Sequence, residues 1–380
     1  MSPRLPGHLS HADRAAQHSD RRTSFVAQLF NEPSCQDLPD LEEDLMRLFF
    51  LLTLVAVTSG CAFNNERNES PPLNMSPERS FHLTYEADLS DLKVGEELRL
   101  WIPIPTDDPH QRIRNLLWEG DFRGVRHTEP VHRNQMLFFK GKVESPTMRF
   151  VVEYDVDRYP YESDLASLAI DGAPDSKKFD VYRQPSRLAF VTDQVQLEAD
   201  ILSAGEAGAL GKARAFYDHV RDHMSYDKKH DGWGRGSIEH ACDIGMGNCT
   251  DFHTYFNSLC LAAGIPARFQ IGIYGKYEAV SEEYVTGGYH CWAEFHVPGK
   301  AWVPVDISEA DKDPNRIDEF FGGHSANRVT LTTGRDLLLS PRQNGPPLNY
   351  FLYPYAEQGG QPLPEGQVKK TSRWKDLPTS

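Results

Sequence analysis

The stretch GMGNCTDFHTYF, Gly245 to Phe256, sets a single cysteine between a short glycine-rich turn and an amphipathic pattern. Counted from Phe252, apolar residues then recur at i, i+3, i+4, i+7 and i+8, which predicts that they form one buried face of a helix. Asn248 is a favourable N-cap, and Asp251 three residues later suits an acidic capping box. Cys249 is therefore expected to be the first residue of this helix.

A cysteine at a helix start lies at the positive end of the helix dipole, where backbone N–H groups have no partner within the helix. This setting favours the thiolate and can lower a cysteine pKa from about 8.5 to roughly 3.5–7.5. The same N–H groups can stabilise an oxyanion on a carbonyl under attack. Gly245 and Gly247 leave room for a substrate backbone. The stretch predicts a nucleophilic Cys249, with a buried structural cysteine as the simpler alternative.

A nucleophilic thiol needs a base, and the base needs an acceptor that orients it. His290 opens the strand-like stretch YHCWAEF, and Asp306 ends the next one, WVPVDIS. In adjacent antiparallel strands the two residues could face each other, with His290 between Cys249 and Asp306. Glu294 is the competing orienting group, but it lies four residues along the same strand, about 13 Å from His290.

Two further interpretations concern the other cysteines and histidines. A metal site built from His240, Cys242, Cys249 and His253 matches no familiar zinc spacing, so neither a metal nor an organic cofactor is expected. Cys291 follows His290 in the strand and should point to the opposite face, which favours a buried role.

The motifs GMGNCTDF, AGIPARF, YHCWAEF and WVPVDIS, in this order, resemble those of the transglutaminase-like superfamily, a group of papain-like thiol enzymes. The resemblance covers roughly residues 185–340. It implies an α+β core in which a helix-start cysteine packs on an antiparallel sheet, with Cys249, His290 and Asp306 as nucleophile, base and acid. The family's oxyanion hole often includes a side chain upstream of the cysteine, for which Tyr226 and Trp233 are candidates.

The region before this core alternates apolar and polar residues in short runs bounded by turns, which predicts an antiparallel β-sandwich. Helical patterns come next and strands afterwards, as in an α+β domain. The expected organisation is an N-terminal β-sandwich module at 79–165, a transglutaminase-like catalytic domain at 185–350 and a C-terminal tail at 351–380.

The stretch MRLFFLLTLVAVTSGC, Met46 to Cys61, has a basic residue, an apolar run too short to span a bilayer, and small residues before a cysteine. It resembles a bacterial lipoprotein signal, which implies lipidation of Cys61. Thr58 stands where an aliphatic residue is usual, so a plain secretory signal is the alternative. Residues 1–45 are interpreted as a misassigned upstream extension, with Met46 as the true start, and 62–78 as a polar tether. The prediction is secretion across the inner membrane and a lipid anchor facing the periplasm.

The chain of 380 residues carries a net charge of −15, from 40 basic and 55 acidic residues. An acidic surface argues against a nucleic-acid partner. In an oxidising periplasm, at most one disulfide is expected among Cys242, Cys260 and Cys291, since Cys249 must stay free.

The expected reaction is attack of Cys249 on a peptide or carboxamide carbonyl of a peptide or protein substrate, through a thioester intermediate. Because water is always available, hydrolysis is the default outcome. Transfer to an amine, as in protein cross-linking, is the alternative within the enzyme class. From another class, a non-catalytic binding module anchored to a membrane remains open, as do substrate identity and oligomeric state.

Overall fold

The computed structural model describes residues 75–378. The expected extension 1–45, the signal ending at Cys61 and nearly all of the tether lie outside this range. Among the described residues, no helix combines the length and the apolar character needed to cross a bilayer.

A β-sandwich is built from two five-stranded antiparallel sheets. The first has the order β11-β18-β1-β6-β3, formed by β1 (Arg79–Leu89), β3 (Gln111–Gly120), β6 (Met148–Arg158), β11 (Tyr284–Val285) and β18 (Val368–Leu377). The second has the order β17-β16-β2-β5-β4, formed by β2 (Glu97–Ile104), β4 (Gly124–Thr128), β5 (Gln135–Lys142), β16 (Tyr355–Gln358) and β17 (Gln361–Pro362). Alternate residues of β1, such as Phe81 and Leu83, share one buried cluster with Leu98 and Leu100 of β2. The period-two pattern thus places one apolar face of each sheet in a common core.

The expected C-terminal tail at 351–380 is wrong, because this segment completes both sheets of the sandwich. Strand β18 pairs with β1 over ten residues, from Leu89 opposite Val368 to Ser80 opposite Leu377. Trp374 stacks on Phe81 with ring centroids 3.5 Å apart. Other buried positions of β18 are polar, so the strand lacks the apolar alternation by which a strand is recognised.

The remaining elements form a mixed helix and sheet layer. The helices are α1 (Asp193–Leu202), α2 (Gly208–His223), α3 (Ile238–Ile244), α4 (Cys249–Ala262) and α5 (Ile307–Lys312), with 3₁₀ turns at Lys177–Arg183 and Pro314–Arg316. A four-stranded antiparallel sheet has the order β13-β12-β10-β15, formed by β10 (Ala267–Tyr274), β12 (His290–His296), β13 (Trp302–Val305) and β15 (Arg328–Thr333). Two-stranded pairs join β7 (Tyr161–Glu162) to β14 (Gly323–His324), and β8 (Ser225–Tyr226) to β9 (Met246–Gly247).

The α+β prediction is confirmed: helix α4 begins at Cys249 and packs against the sheet that carries His290. The apolar stripe predicted for α4 is fully buried, from Phe252 to Cys260. In the same sheet, β13 pairs with β12 as far as Val305 opposite Ala293. Asp306 follows directly and is the N-cap of α5, where it accepts a hydrogen bond from the Glu309 N–H. The fold therefore brings a helix start, a strand start and a strand end together.

Candidate active site

A capping box fixes the start of helix α4. The Asn248 side chain accepts the Thr250 N–H at 2.8 Å, and the Asp251 carboxylate accepts the Asn248 N–H at 2.9 Å. Asp251 also accepts the N–H groups of Gly234 and Gly236, at 2.7 and 2.9 Å, and thereby holds the preceding loop against the helix. Both glycines have positive φ, which other residues adopt only with strain. The predicted cap is present, and Cys249 sits on a rigid first turn.

The three residues predicted to form the triad lie together. His290 Nε2 is 2.7 Å from Asp306 Oδ2, and the His290 ring also interacts with the Cys249 side chain. All three residues are buried, with at most 3% of any one residue's surface exposed. Within residues 75–378, the backbone N–H of Cys249 donates to no acceptor and is free to bind a substrate oxygen.

The electrostatics of this trio favour an ion pair. Burial alone would raise the pKa of the Cys249 thiol, but hydrogen bonds with Cys291 and His290 and the charge of His290 bring it well below its ordinary value. Burial would lower the pKa of His290, but the charge and hydrogen bond of Asp306, together with Cys249, raise it to about 9. Near neutral pH, Cys249 is therefore a thiolate beside an imidazolium.

A fourth charged residue, Arg328, supports the acid. Its Nη1 atom lies 2.9 Å from Asp306 Oδ2, and neither side chain is exposed. Burial would raise the pKa of Asp306, but the charges of His290 and Arg328 hold it well below its usual range. The guanidinium also lies over the rings of Tyr274 and Trp292, 5.4 and 4.9 Å from their centroids. The sequence offered no signal for Arg328, which opens a strand 22 residues after Asp306.

Cys291 is fully buried, as predicted, but it also contacts the nucleophile. Its sulfur lies 3.3 Å from the Thr250 hydroxyl oxygen, and its thiol interacts with the Cys249 side chain. Burial, followed by the hydrogen bond and charge of Cys249, raises the pKa of Cys291 well above its ordinary value, so it stays a thiol and can donate to the thiolate. Cys242, Cys249, Cys260 and Cys291 are all free, without a disulfide among these four.

Tyr226, one of the two oxyanion candidates, lies within electrostatic range of the nucleophile. Burial raises the pKa of the Tyr226 hydroxyl well above its ordinary value, and the charge of Cys249 raises it further. The amino group of Lys312 lies 3.9 Å from the Tyr226 ring centroid, on its face. Trp233 is on the loop before α3 with 39% of its surface exposed, and the Lys228 amino group lies 5.8 Å from its ring.

Tyr289 is a wall of the site that sequence reasoning missed. Its hydroxyl accepts a hydrogen bond from the Asn248 side-chain amide at 2.8 Å. Its ring packs near Tyr350 and Tyr353, with centroids 6.2 and 6.3 Å away. These two tyrosines lie in the segment that leads to β16, so the chain that returns to the sandwich also supports the residue next to His290.

The residues of the two competing assignments make other contacts. Glu294 hydrogen-bonds with Arg268 and with the Tyr161 hydroxyl, away from His290. No group of three or more histidine, cysteine or acidic side chains in the described part of the chain is arranged to hold a metal ion. His253, one of the four residues weighed for such a site, makes hydrogen bonds with two backbone groups instead.

The architecture defines a class: an α+β core with a thiol at a helix start and a histidine and carboxylate on neighbouring strands. Residues 196–307 match the family model of the transglutaminase-like superfamily, and this part of the chain belongs to that superfamily. Cys249, His290 and Asp306 all fall within the matched residues.

Individual relatives are distant. An uncharacterized protein of Haemophilus influenzae is 28% identical over 370 residues, covering 82% of this chain and 95% of that protein. A proposed cysteine protease from Cytophaga hutchinsonii has a TM-score of 0.55 at 15% identity, covering 80% of this chain and 92% of that one, which is a likeness of fold. The periplasmic domain of TgpA from Pseudomonas aeruginosa, at 18% identity, covers 64% of this chain and 93% of that one. Its TM-score of 0.34 is too low to bear on the fold.

Proposed function

We propose that this protein is a transglutaminase-like thiol hydrolase that cleaves peptide or carboxamide bonds. The observation that carries the proposal is the buried chain of contacts from Cys249 through His290 to Asp306, with a thiolate and an imidazolium as its favoured charge state. A buried ion pair of this kind gives a nucleophile and a proton donor at the same place.

In the first half of the reaction, the Cys249 thiolate attacks the carbonyl carbon. The oxyanion that forms is stabilised by the free Cys249 N–H and the positive end of helix α4. The His290 imidazolium donates its proton to the leaving amine, which departs and leaves a thioester on Cys249. Asp306, with Arg328 behind it, orients the ring throughout.

In the second half, neutral His290 takes a proton from water, and the resulting hydroxide attacks the thioester carbonyl. Collapse of the second tetrahedral intermediate releases a carboxylate and restores the thiolate. An amine that competes with water would give transfer instead, as in protein cross-linking. Hydrolysis remains the proposed outcome because it needs no second pocket for an amine.

A non-catalytic binding module is the alternative from another class. Such a module has no use for a thiolate, and the cost of burying charged groups argues against retaining them without a function.

We also propose that the protein is secreted and held at a membrane by a lipid on Cys61, facing the periplasm, with a peptide or protein as its substrate.

A substrate screen tests the proposed reaction. Peptide libraries and glutamine-amide substrates are incubated with the wild type, with and without a primary amine, and products are read by mass spectrometry. We expect hydrolysis that Cys249→Ala abolishes and that Cys242→Ala, a matched loss of another free cysteine, leaves intact. Amine adducts as the main product would favour the transferase. Equal turnover by folded Cys249→Ala would exclude a thiol mechanism.

A further inference from the structure

His253 lies one helical turn after Cys249 and is completely buried. Its Nδ1 atom is 2.7 Å from the Cys249 carbonyl oxygen. Its Nε2 atom accepts the Ile307 N–H at 3.0 Å, the first backbone donor after Asp306. One imidazole ring therefore connects the peptide of the nucleophile to the peptide that follows the acid.

The two partners fix the protonation state of this ring. A backbone N–H can only donate, so Nε2 must be unprotonated, and a carbonyl can only accept, so Nδ1 must carry the hydrogen. Burial is the main cause that lowers the pKa of His253 to about 4, against the opposing charges of Asp306 and Cys249. The ring is thus a neutral imidazole in a single tautomer at physiological pH, in contrast to His290.

We propose that His253 is a positioning residue that sets the separation between Cys249 and Asp306, and with it the hydrogen bonds that His290 makes to both. The inference rests on the proposed function, since it assigns His253 a part in preparing the same nucleophile. Helix α4 and the end of β13 come from distant parts of the chain. The His253 ring links the backbone of Cys249 directly to Ile307, the first residue of α5.

The neutral state of the ring is as important as its two bonds. His253 Nε2 lies 3.9 Å from Asp306 Oδ1, close enough for a charged ring to compete with His290 for the carboxylate. A proton on Nε2 would also face the Ile307 N–H, donor against donor. With a neutral ring, Asp306 keeps its strong hydrogen bond for the His290 imidazolium, which in turn stabilises the thiolate.

Three substitutions separate the two bonds of the ring. His253→Asn places an amide N–H where Nδ1 stood and keeps the bond to the Cys249 carbonyl. His253→Gln reaches farther and keeps an acceptor for the Ile307 N–H. His253→Phe fills the space and keeps neither. His219→Gln is the matched control, because His219 also packs on α4, through the Tyr255 hydroxyl at 3.1 Å, but on the side away from the triad.

The measured quantity is the pKa of the Cys249 thiol, from iodoacetamide alkylation rates between pH 4 and pH 9, at temperatures where circular dichroism shows each variant folded. We expect His253→Phe to raise this pKa by about one unit, which means about tenfold less thiolate at a pH below it. The Asn and Gln variants should fall between Phe and the wild type. Values of kcat/KM should decrease in the same order, and His219→Gln should match the wild type.

The outcomes distinguish this inference from the function on which it rests. If wild-type Cys249 has an ordinary thiol pKa, the proposed function fails first. If the wild type has the low pKa and folded His253 variants keep it, with losses confined to thermal stability, then His253 is only a core residue and the inference is overturned. If Phe alone unfolds, the Asn and Gln variants decide between these results by the same measurement.

Discussion

Asp306 and Arg328 form an ion pair with 2.9 Å between Oδ2 and Nη1, and solvent reaches neither side chain. The same oxygen of Asp306 accepts the hydrogen bond from His290. Two cations therefore share one carboxylate oxygen inside the protein. This arrangement makes Arg328 part of the charge balance of the site.

Replacing Arg328 should affect both stability and the nucleophile. Arg328→Met leaves the buried Asp306 with one cation fewer, and breaking a buried pair of this kind costs roughly 3–5 kcal/mol. The pKa of Asp306 should rise, the His290 imidazolium should lose support, and the thiol pKa of Cys249 should increase. Urea unfolding and alkylation rates measure the two effects. The control is Arg79→Met, which breaks the remote Arg79–Asp376 pair and should lower stability without moving the thiol pKa.

The triad variants should lose activity in a defined order. Cys249→Ala should abolish thioester formation, because no other group supplies the nucleophile. His290→Ala should be nearly as severe, since the leaving amine then lacks a proton donor. Asp306→Asn should retain measurable kcat/KM, because the base remains while its orientation and charge support weaken. A folded Asp306→Asn variant that is less active than His290→Ala would contradict these roles.

Among the three triad positions, Asp306 should contribute most to folding stability. Its carboxylate also caps α5 and neutralises Arg328, so Asp306→Asn leaves a buried cation poorly compensated. We expect a clear decrease in its free energy of unfolding, measured in urea, while Cys249→Ala stays within about 1 kcal/mol of the wild type. A fully stable Asp306→Asn would mean that Arg328 does not depend on this carboxylate.

The pH dependence of activity follows from the ion pair. On the alkaline side kcat/KM should fall as pH rises through about 9, where His290 loses the proton that the leaving amine needs. On the acidic side it should fall only below the ordinary range of a thiol, because the pKa of Cys249 is lowered. A rate profile on one amide substrate measures both limbs. An activity that rises only as pH passes the ordinary thiol pKa, about 8.5, would indicate an unperturbed Cys249.

Folding stability should depend on pH because folding raises the pKa of His290. The folded pKa of about 9 lies above the ordinary 6.5, so the folded protein binds the proton more tightly than the unfolded chain. This contribution is fully present below pH 6.5 and is lost as pH rises through 9. His290→Ala should therefore flatten the stability curve between these values, measured by urea unfolding at a series of pH values.

Cys249 should be the only described cysteine that iodoacetamide modifies rapidly at neutral pH. Burial raises the pKa values of Cys242, Cys260 and Cys291, with the charge of Cys249 adding to the shift at Cys291. Labelling for short times followed by peptide mapping tests this. Comparable labelling of Cys291 in folded protein would show that the two neighbouring thiols exchange roles.

Local features of the site were accessible from the sequence because they depend on residues close together in the chain. The cap of α4 depends on the side chains of Asn248 and Asp251, and these two residues are recognisable in the sequence. His290 and Asp306 could be found because each stands at the boundary of an apolar strand. Arg328 and His253 could not, since their roles arise from contacts with segments far along the chain. The residues next to an arginine in a strand or a histidine in a helix do not indicate which distant group the side chain contacts.

The return of β18 to pair with β1 has a consequence for the order in which the chain can fold. Strand β1 lies near the start of the described chain and its partner at the end, with Ser80 opposite Leu377. The catalytic segment is thus a long insertion between two parts of one sheet. During synthesis or export, the edge of β1 that pairs with β18 stays unpaired until residues 368–377 have emerged. A chain cut before Tyr355 would lose β16, β17 and β18, and with them strands of both sheets. Residues 355–377 are therefore needed to complete the β-sandwich.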